Sequence, residues 1–129
     1  KVNDTCGLHV HLDMRNKNPY TPYWNLVSCL PLLKSNVHKS RWNSKFCLTN
    51  SSKLFGRLQF ADGYYEEQRY FAINKEAYKK LKTIEVRIHE GTIDPIKIMK
   101  WVDLLVDVNN VRKKIPVEIE TVQQLQSFI

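Results

Sequence analysis

The 129-residue chain carries 20 Lys and Arg against 13 Asp and Glu, a formal charge of +7, with 43% apolar and 26% charged residues. These values suit one globular domain long enough to bury a core, and they exclude a chain too polar to fold. The basic excess favours an anionic partner such as a nucleotide, a nucleic acid or a membrane surface, and charge alone does not choose among them. Its distribution favours a solvated basic surface over a nucleic-acid patch, because the lysines and arginines, most of them between Lys34 and Lys114, form no dense cluster.

Cys6, Cys29 and Cys47 are odd in number and form no C-x-x-C pair, so a reducing compartment is expected rather than a disulfide framework. No signal peptide is visible in the sequence, and no apolar run approaches the ~18 residues of a membrane span. A soluble, cytoplasmic protein is the expectation. The chain opens on Lys1 rather than Met and enters its first strand almost at once, which suggests a piece of something longer.

In chain order, the first predicted strand covers Cys6 to Met14 and is followed by a turn-forming run, Asn16 to Pro19. Thr21 as N-cap and Pro22 at the first helical position open a helix whose Leu26, Leu30, Leu33 and Val37 keep helical spacing. Pro31 should kink or divide it. Ser40 to Tyr65 reads as a long polar loop, with a short hairpin at Lys53 to Phe60, of the kind that often binds a ligand.

Arg69 to Ile73 reads as extended, and Asn74 can cap a short helix over Lys75 to Leu81, supported by Glu76 and Lys80 at i,i+4. Thr83 to Thr92 is the next strand. Asp94 as cap and Pro95 at the first turn then open the clearest helix, with Ile98, Trp101, Val102, Leu105 and Val108 as its buried stripe. Ile115 to Ile119 is predicted extended, and Thr121 with Gln124 forms a capping box for a final helix.

Two strands carry the chemistry. Side chains alternate along an extended strand, so Ile84, Val86 and Ile88 face one way while Glu85, Arg87 and His89 face the other. In GLHVHLD the same rule sets Leu8, Val10 and Leu12 against His9, His11 and Asp13. Imidazole binds a cation when neutral and donates a hydrogen bond otherwise, so His9 and His11 can serve a metal or a phosphate. The plainer alternatives are two histidines on a solvated strand and a surface salt bridge between Glu85 and Arg87. All four on one sheet face favour a ligand-binding surface.

Those residues also carry a resemblance. Cys6-Gly7-Leu8-His9-Val10-His11, then Arg69-Tyr70-Phe71-Ala72-Ile73-Asn74, then the E-x-R-x-H-x-G-T element from Glu85 to Thr92 and a helix with Trp101 occur in that order. Over Cys6 to Val108 this resembles the amidoligase family of the glutamine synthetase and glutamate–cysteine ligase superfamily. The resemblance implies an α+β fold, a curved and mostly antiparallel sheet with helices on one face, forming a glutamine synthetase-like catalytic half-domain. It also implies an ATP-dependent carboxylate–amine ligase that works through an acyl phosphate.

By motif position the resemblance makes His9 and Glu85 ligands of Mg2+ or Mn2+. It makes His11, Arg87 and Arg69 phosphate-binding, with Arg87 and Arg69 catalytic, and it lets His89 and Glu90 reach a small-molecule or peptide substrate. Family members carry further glutamates on an earlier strand, which nothing before Cys6 supplies, and Glu66 and Glu67 are not placed to replace them. The chain therefore resembles the second half of a catalytic domain, active with a missing N-terminal half or partner chain, or an interaction domain without turnover. An H-x-H metal-dependent hydrolase and a zinc module on Cys6, His9 and His11 are weaker alternatives, for want of further ligands.

Overall fold

The computed structural model describes residues 7–42 and 71–129. Strand β1, Gly7–Asp13, leads into helices α1, Tyr20–Ser28, and α2, Leu30–Ser35, and a single 3-10 turn at Lys39–Arg41. Then come β2, Ile73–Asn74, α3, Ala77–Leu81, β3, Thr83–Glu90, α4, Pro95–Asn109, and α5, Val122–Gln126. The strands form one antiparallel sheet in the order β1-β3-β2, with helices packed against it. The fold is α+β, as expected.

The sheet is not notably curved, contrary to expectation. Its central strand has partners on both sides, but β2 is only two residues long, so little sheet exists over which strand twist can accumulate. The apolar row of β3 is buried as its alternation requires: Ile84, Val86 and Ile88 are inaccessible to solvent. They join Leu12 of β1, Leu26 and Leu33 of the first two helices, and Trp101, Leu105 and Val108 of α4 in one core.

Pro31 divides the first helical segment rather than kinking it. An unbroken helix would bond the Leu32 amide to the Ser28 carbonyl. Here Ile119 stands between them: its N–H donates to the Ser28 carbonyl at 2.9 Å, and its carbonyl accepts from the Leu32 N–H at 3.0 Å. The break is thus filled by the backbone of the tail. The run from Ile115 to Ile119, expected to be extended, joins no sheet and is laced to these helices instead.

The buried Asn25 completes the lacing. Its Oδ1 accepts from the Ile115 N–H at 2.8 Å, and its Nδ2 donates to the carbonyls of Lys113 at 3.0 Å and Val111 at 3.3 Å. Trp24 Nε1 adds a bond to the Ile115 carbonyl at 2.8 Å. A polar residue on an apolar helix face is therefore the anchor of a segment with no ladder of its own.

Other boundaries shift for local reasons. The first helix opens at Tyr20, with the Asn18 Oδ1 accepting the Tyr20 N–H at 3.0 Å, and not at a Thr21 cap. Pro22 is tolerated there because first-turn amides need no intrahelical acceptor. Asp94 and Pro95 open α4 as predicted, the Asp94 Oδ1 accepting from the Ile96 N–H at 2.9 Å. The Thr121–Gln124 capping box also forms. The expected hairpin at Lys53 to Phe60, most of the loop around it, Arg69, Cys6 and Cys47 lie outside the described residues. Cys29 is a free, buried thiol, and burial pushes its pKa up to about 12.

No helix among the described residues is long and apolar enough to cross a membrane. Asn25→Ala should cost about 2–4 kcal/mol, since it strips buried backbone groups of their partners. Chemical denaturation checks this, with amide exchange at Ile115 accelerating in step; an unchanged midpoint would contradict the lacing.

Candidate functional site

The pairing of β1 with β3 sets the site. His11 lies opposite Glu85 and Asp13 opposite Thr83, while Val10 and Leu12 lie opposite Val86 and Ile84. Opposed residues share a face, so the polar and apolar rows of the two strands coincide. The open side carries His9, His11 and Asp13 beside Thr83, Glu85 and Arg87.

Glu85 is the hub. Its Oε2 lies 3.1 Å from His11 Nε2 and 3.5 Å from His9 Nδ1, while its Oε1 lies 3.3 Å from Arg87 Nη1 and 3.4 Å from Asn74 Nδ2. One carboxylate thus faces four donors, about as many as its lone pairs can accept. Burial pushes the Glu85 carboxyl up. The His9 hydrogen bond and the charges of His9, Arg87 and His11 more than reverse that, holding it below its ordinary 4.5.

Thr83 and Asn74 complete the arrangement. A carboxylate only accepts, so His11 presents Nε2–H to Glu85, and its Nδ1 is hydrogen-bonded to the Thr83 hydroxyl at 2.7 Å. The Asn74 amide works in two directions: Nδ2 donates to Glu85, while Oδ1 accepts the Glu76 N–H at 2.6 Å and turns the chain into α3. Asp13 shares the face but is held by Arg15 at 3.0 Å.

Between Leu8 and Val10 the register slips. Leu8 pairs with His89 and Val10 with Val86, so Arg87 and Ile88 together oppose His9. This is a β-bulge, and it disturbs the ladder beside the hub. Arg41 repairs it: this arginine, only 1% exposed, donates from Nη2 to the Arg87 carbonyl at 2.9 Å and from Nε to the Ile88 carbonyl at 3.2 Å. A Cβ on Gly7 would stand 2.6 Å from Arg41 Nη2 and 3.3 Å from His9 Nε2, so the guanidinium needs glycine beneath it.

The bulge also changes the alternation beyond it. His89 was expected in the polar row, yet it follows its partner Leu8 to the apolar side and is buried. Its ring centroid lies 4.9 Å from that of Trp101, and its Nδ1–H donates to the Glu90 carbonyl at 2.7 Å. Glu90 accepts the His38 N–H at 3.0 Å and lies 3.8 Å from Lys97 Nζ. His89 and Glu90 border a separate cleft of about 220 Å³ with Lys97, Lys100, Trp101 and Leu104.

Four of the residues singled out by sequence, His9, His11, Glu85 and Arg87, therefore converge, His89 and Glu90 stand apart, and Arg69 lies outside the described residues. Sequence reasoning missed Arg41, Gly7, Thr83 and the second role of Asn74. Only Gly7, a glycine opening a strand, carried a visible signal. Among the described residues no group of three or more His, Cys, Asp or Glu is set to hold a metal ion. In this geometry the Glu85 carboxylate is shared among its neighbours, so His9 and Glu85 could take up a cation only once their mutual contact opens.

Because the folded Glu85 carboxyl is held below 4.5, its contribution to stability is complete above that value and is lost as pH falls through the lower folded value. Glu85→Gln should remove this component. The difference in melting temperature between wild type and variant should shrink between about pH 5 and pH 3; a difference independent of pH would contradict the assignment.

No curated protein and no solved structure gives a significant match to the chain. A family model does, over residues 1–109, a span that takes in β1, β3 and all four converging side chains. The chain thus belongs to the family described as "Putative amidoligase enzyme".

Proposed function

We propose that this chain supplies the phosphate-gripping wall of an ATP-dependent carboxylate–amine ligase with a glutamine synthetase-like catalytic half-domain, whose remaining part another segment or chain provides. The observation that carries this reading is the convergence of His9, His11 and Arg87 on Glu85 across the open face of β1 and β3. Membership of the amidoligase family supports it.

In such a reaction a substrate carboxylate oxygen attacks the γ-phosphorus of ATP, and ADP leaves. The amine nitrogen then attacks the acyl carbon, phosphate leaves, and the amine gives up a proton. Catalysis of the first step is mainly positioning and the placing of positive charge where negative charge develops. Arg87 supplies a guanidinium at a fixed place on a strand, held by Glu85 on its own face. His11, its ring held through Nδ1 by Thr83, can turn its Nε2–H from Glu85 to a phosphate oxygen. Arg69 would add a second guanidinium.

Magnesium, or manganese, would arrive with the nucleotide phosphates, with His9 and Glu85 as the nearest protein donors once their mutual contact opens. The chemistry it supplies when bound is charge neutralisation on those phosphates. No step above depends on a preformed metal cage in the described residues.

The saturation of Glu85 favours one further reading, a domain that keeps the family's ionic cluster as a structural tie without turnover. Hydroxylamine separates the two, because it captures an acyl phosphate as a hydroxamate. The ligase reading predicts hydroxamate formation dependent on ATP and an acid substrate. It also predicts a rise in melting temperature with ATP and magnesium that Arg87→Ala or Glu85→Ala abolishes. A melting shift with zinc alone, indifferent to Arg87, would overturn it.

A further inference from the structure

The face of α4 turned away from the core departs from what an amphipathic surface helix requires. Ile96 is 63% exposed, Met99 64% and Val106 41%, three apolar side chains on one outward stripe where polar residues are expected. Ile93, just ahead of the helix, is 90% exposed.

The charges on that face run against the helix's own field. A helix favours acidic residues near its amino terminus and basic residues near its carboxy terminus. Here Lys97 and Lys100 occupy the first half, and Asp103 and Asp107 the second. Asp103 and Asp107 are four apart, the spacing at which like charges repel. Among the described residues Lys100, Asp103 and Asp107 take part in no ion pair. Within a single copy the apolar stripe contributes no burial, and Lys97 and Asp107, in the first and last turns, lie at the ends where their charges are disfavoured.

We propose that α4 pairs antiparallel with α4 of a second copy of this chain, about a two-fold axis crossing the middle of the helix. Antiparallel pairing brings the basic half of each helix to the acidic half of the other, and it opposes the two helix dipoles. An axis between Trp101 and Val102 sets Lys100 level with the other copy's Asp103, a contact that symmetry makes twice. The same axis sets Ile96 of each copy level with Asp107 of the other and one residue from its Val106, with Met99 nearer the centre. One arrangement covers the apolar stripe and resolves the reversed charge order. A parallel pairing, or a partner of uniform charge, would resolve only one of them.

Sedimentation velocity on the 129-residue chain tests this. A dimer is expected. K100D and D103K should each weaken it about tenfold or more, since each places like charges together twice, and the double variant K100D/D103K should restore it. Each single reversal also sets two like charges at i,i+3 within its own helix, a small local effect. Far-ultraviolet circular dichroism of each variant, with helix content kept, separates lost association from lost folding. A monomer at all soluble concentrations, a dimer indifferent to both reversals, or a double variant as weak as the singles would overturn the proposal.

Discussion

The Glu85 carboxylate is the constraint on which this site depends. It lies on the central strand, where its position is fixed by partners on both sides, and it draws in an imidazole pair from β1, a guanidinium from its own strand and an amide from β2. An ion pair on an exposed surface contributes little, because solvent competes for both charges. Here Glu85 and Arg87 are only partly exposed while His9 and His11 reach solvent, and one carboxylate is shared among several donors, so each contact limits the freedom of the next. Three strands are thereby tied by side chains where β2 is too short to be held by its ladder alone.

Beside the hub the backbone is irregular, and the irregularity has a cost that Arg41 offsets. Two residues against one leave carbonyls at Arg87 and Ile88 for the buried guanidinium to bond, and Gly7 makes room for it. The result is a division of labour between two arginines. Arg41 faces inward and holds the backbone, so Arg87 sits on a strand whose local shape is fixed. The bulge also separates His89 from the polar row and sends it to Trp101, which isolates the four converging residues from the cleft beneath α4.

Much of this was legible in the sequence where one local rule acts alone. Alternation along β1 and β3 placed His9, His11, Glu85 and Arg87 on one face, and Asp94-Pro95 and Thr121 with Gln124 marked helix starts, because each depends on residues within one turn. The rest depends on contacts between residues far apart in the chain. Nothing near Ile88 signals a bulge, so alternation carried on one residue too far and misplaced His89. Arg41 looked like any basic residue in a polar stretch, since its acceptors lie more than forty positions away. The tail looked like a strand because Ile115 and Ile119 are apolar and buried, but the partner waiting for it was a broken helix. The expected curvature failed because the sheet has too few strands to develop it.

The central claim is that one carboxylate holds both imidazoles. Nitrogen-resolved magnetic resonance of the histidine rings tests it most directly, with His38, which bonds Ser40 instead, as the internal control. On replacing Glu85 with glutamine, the ring resonances of His9 and His11 should move together while those of His38 stay in place. If His9 and His11 keep their resonances, Glu85 does not hold them, and the site described here does not exist.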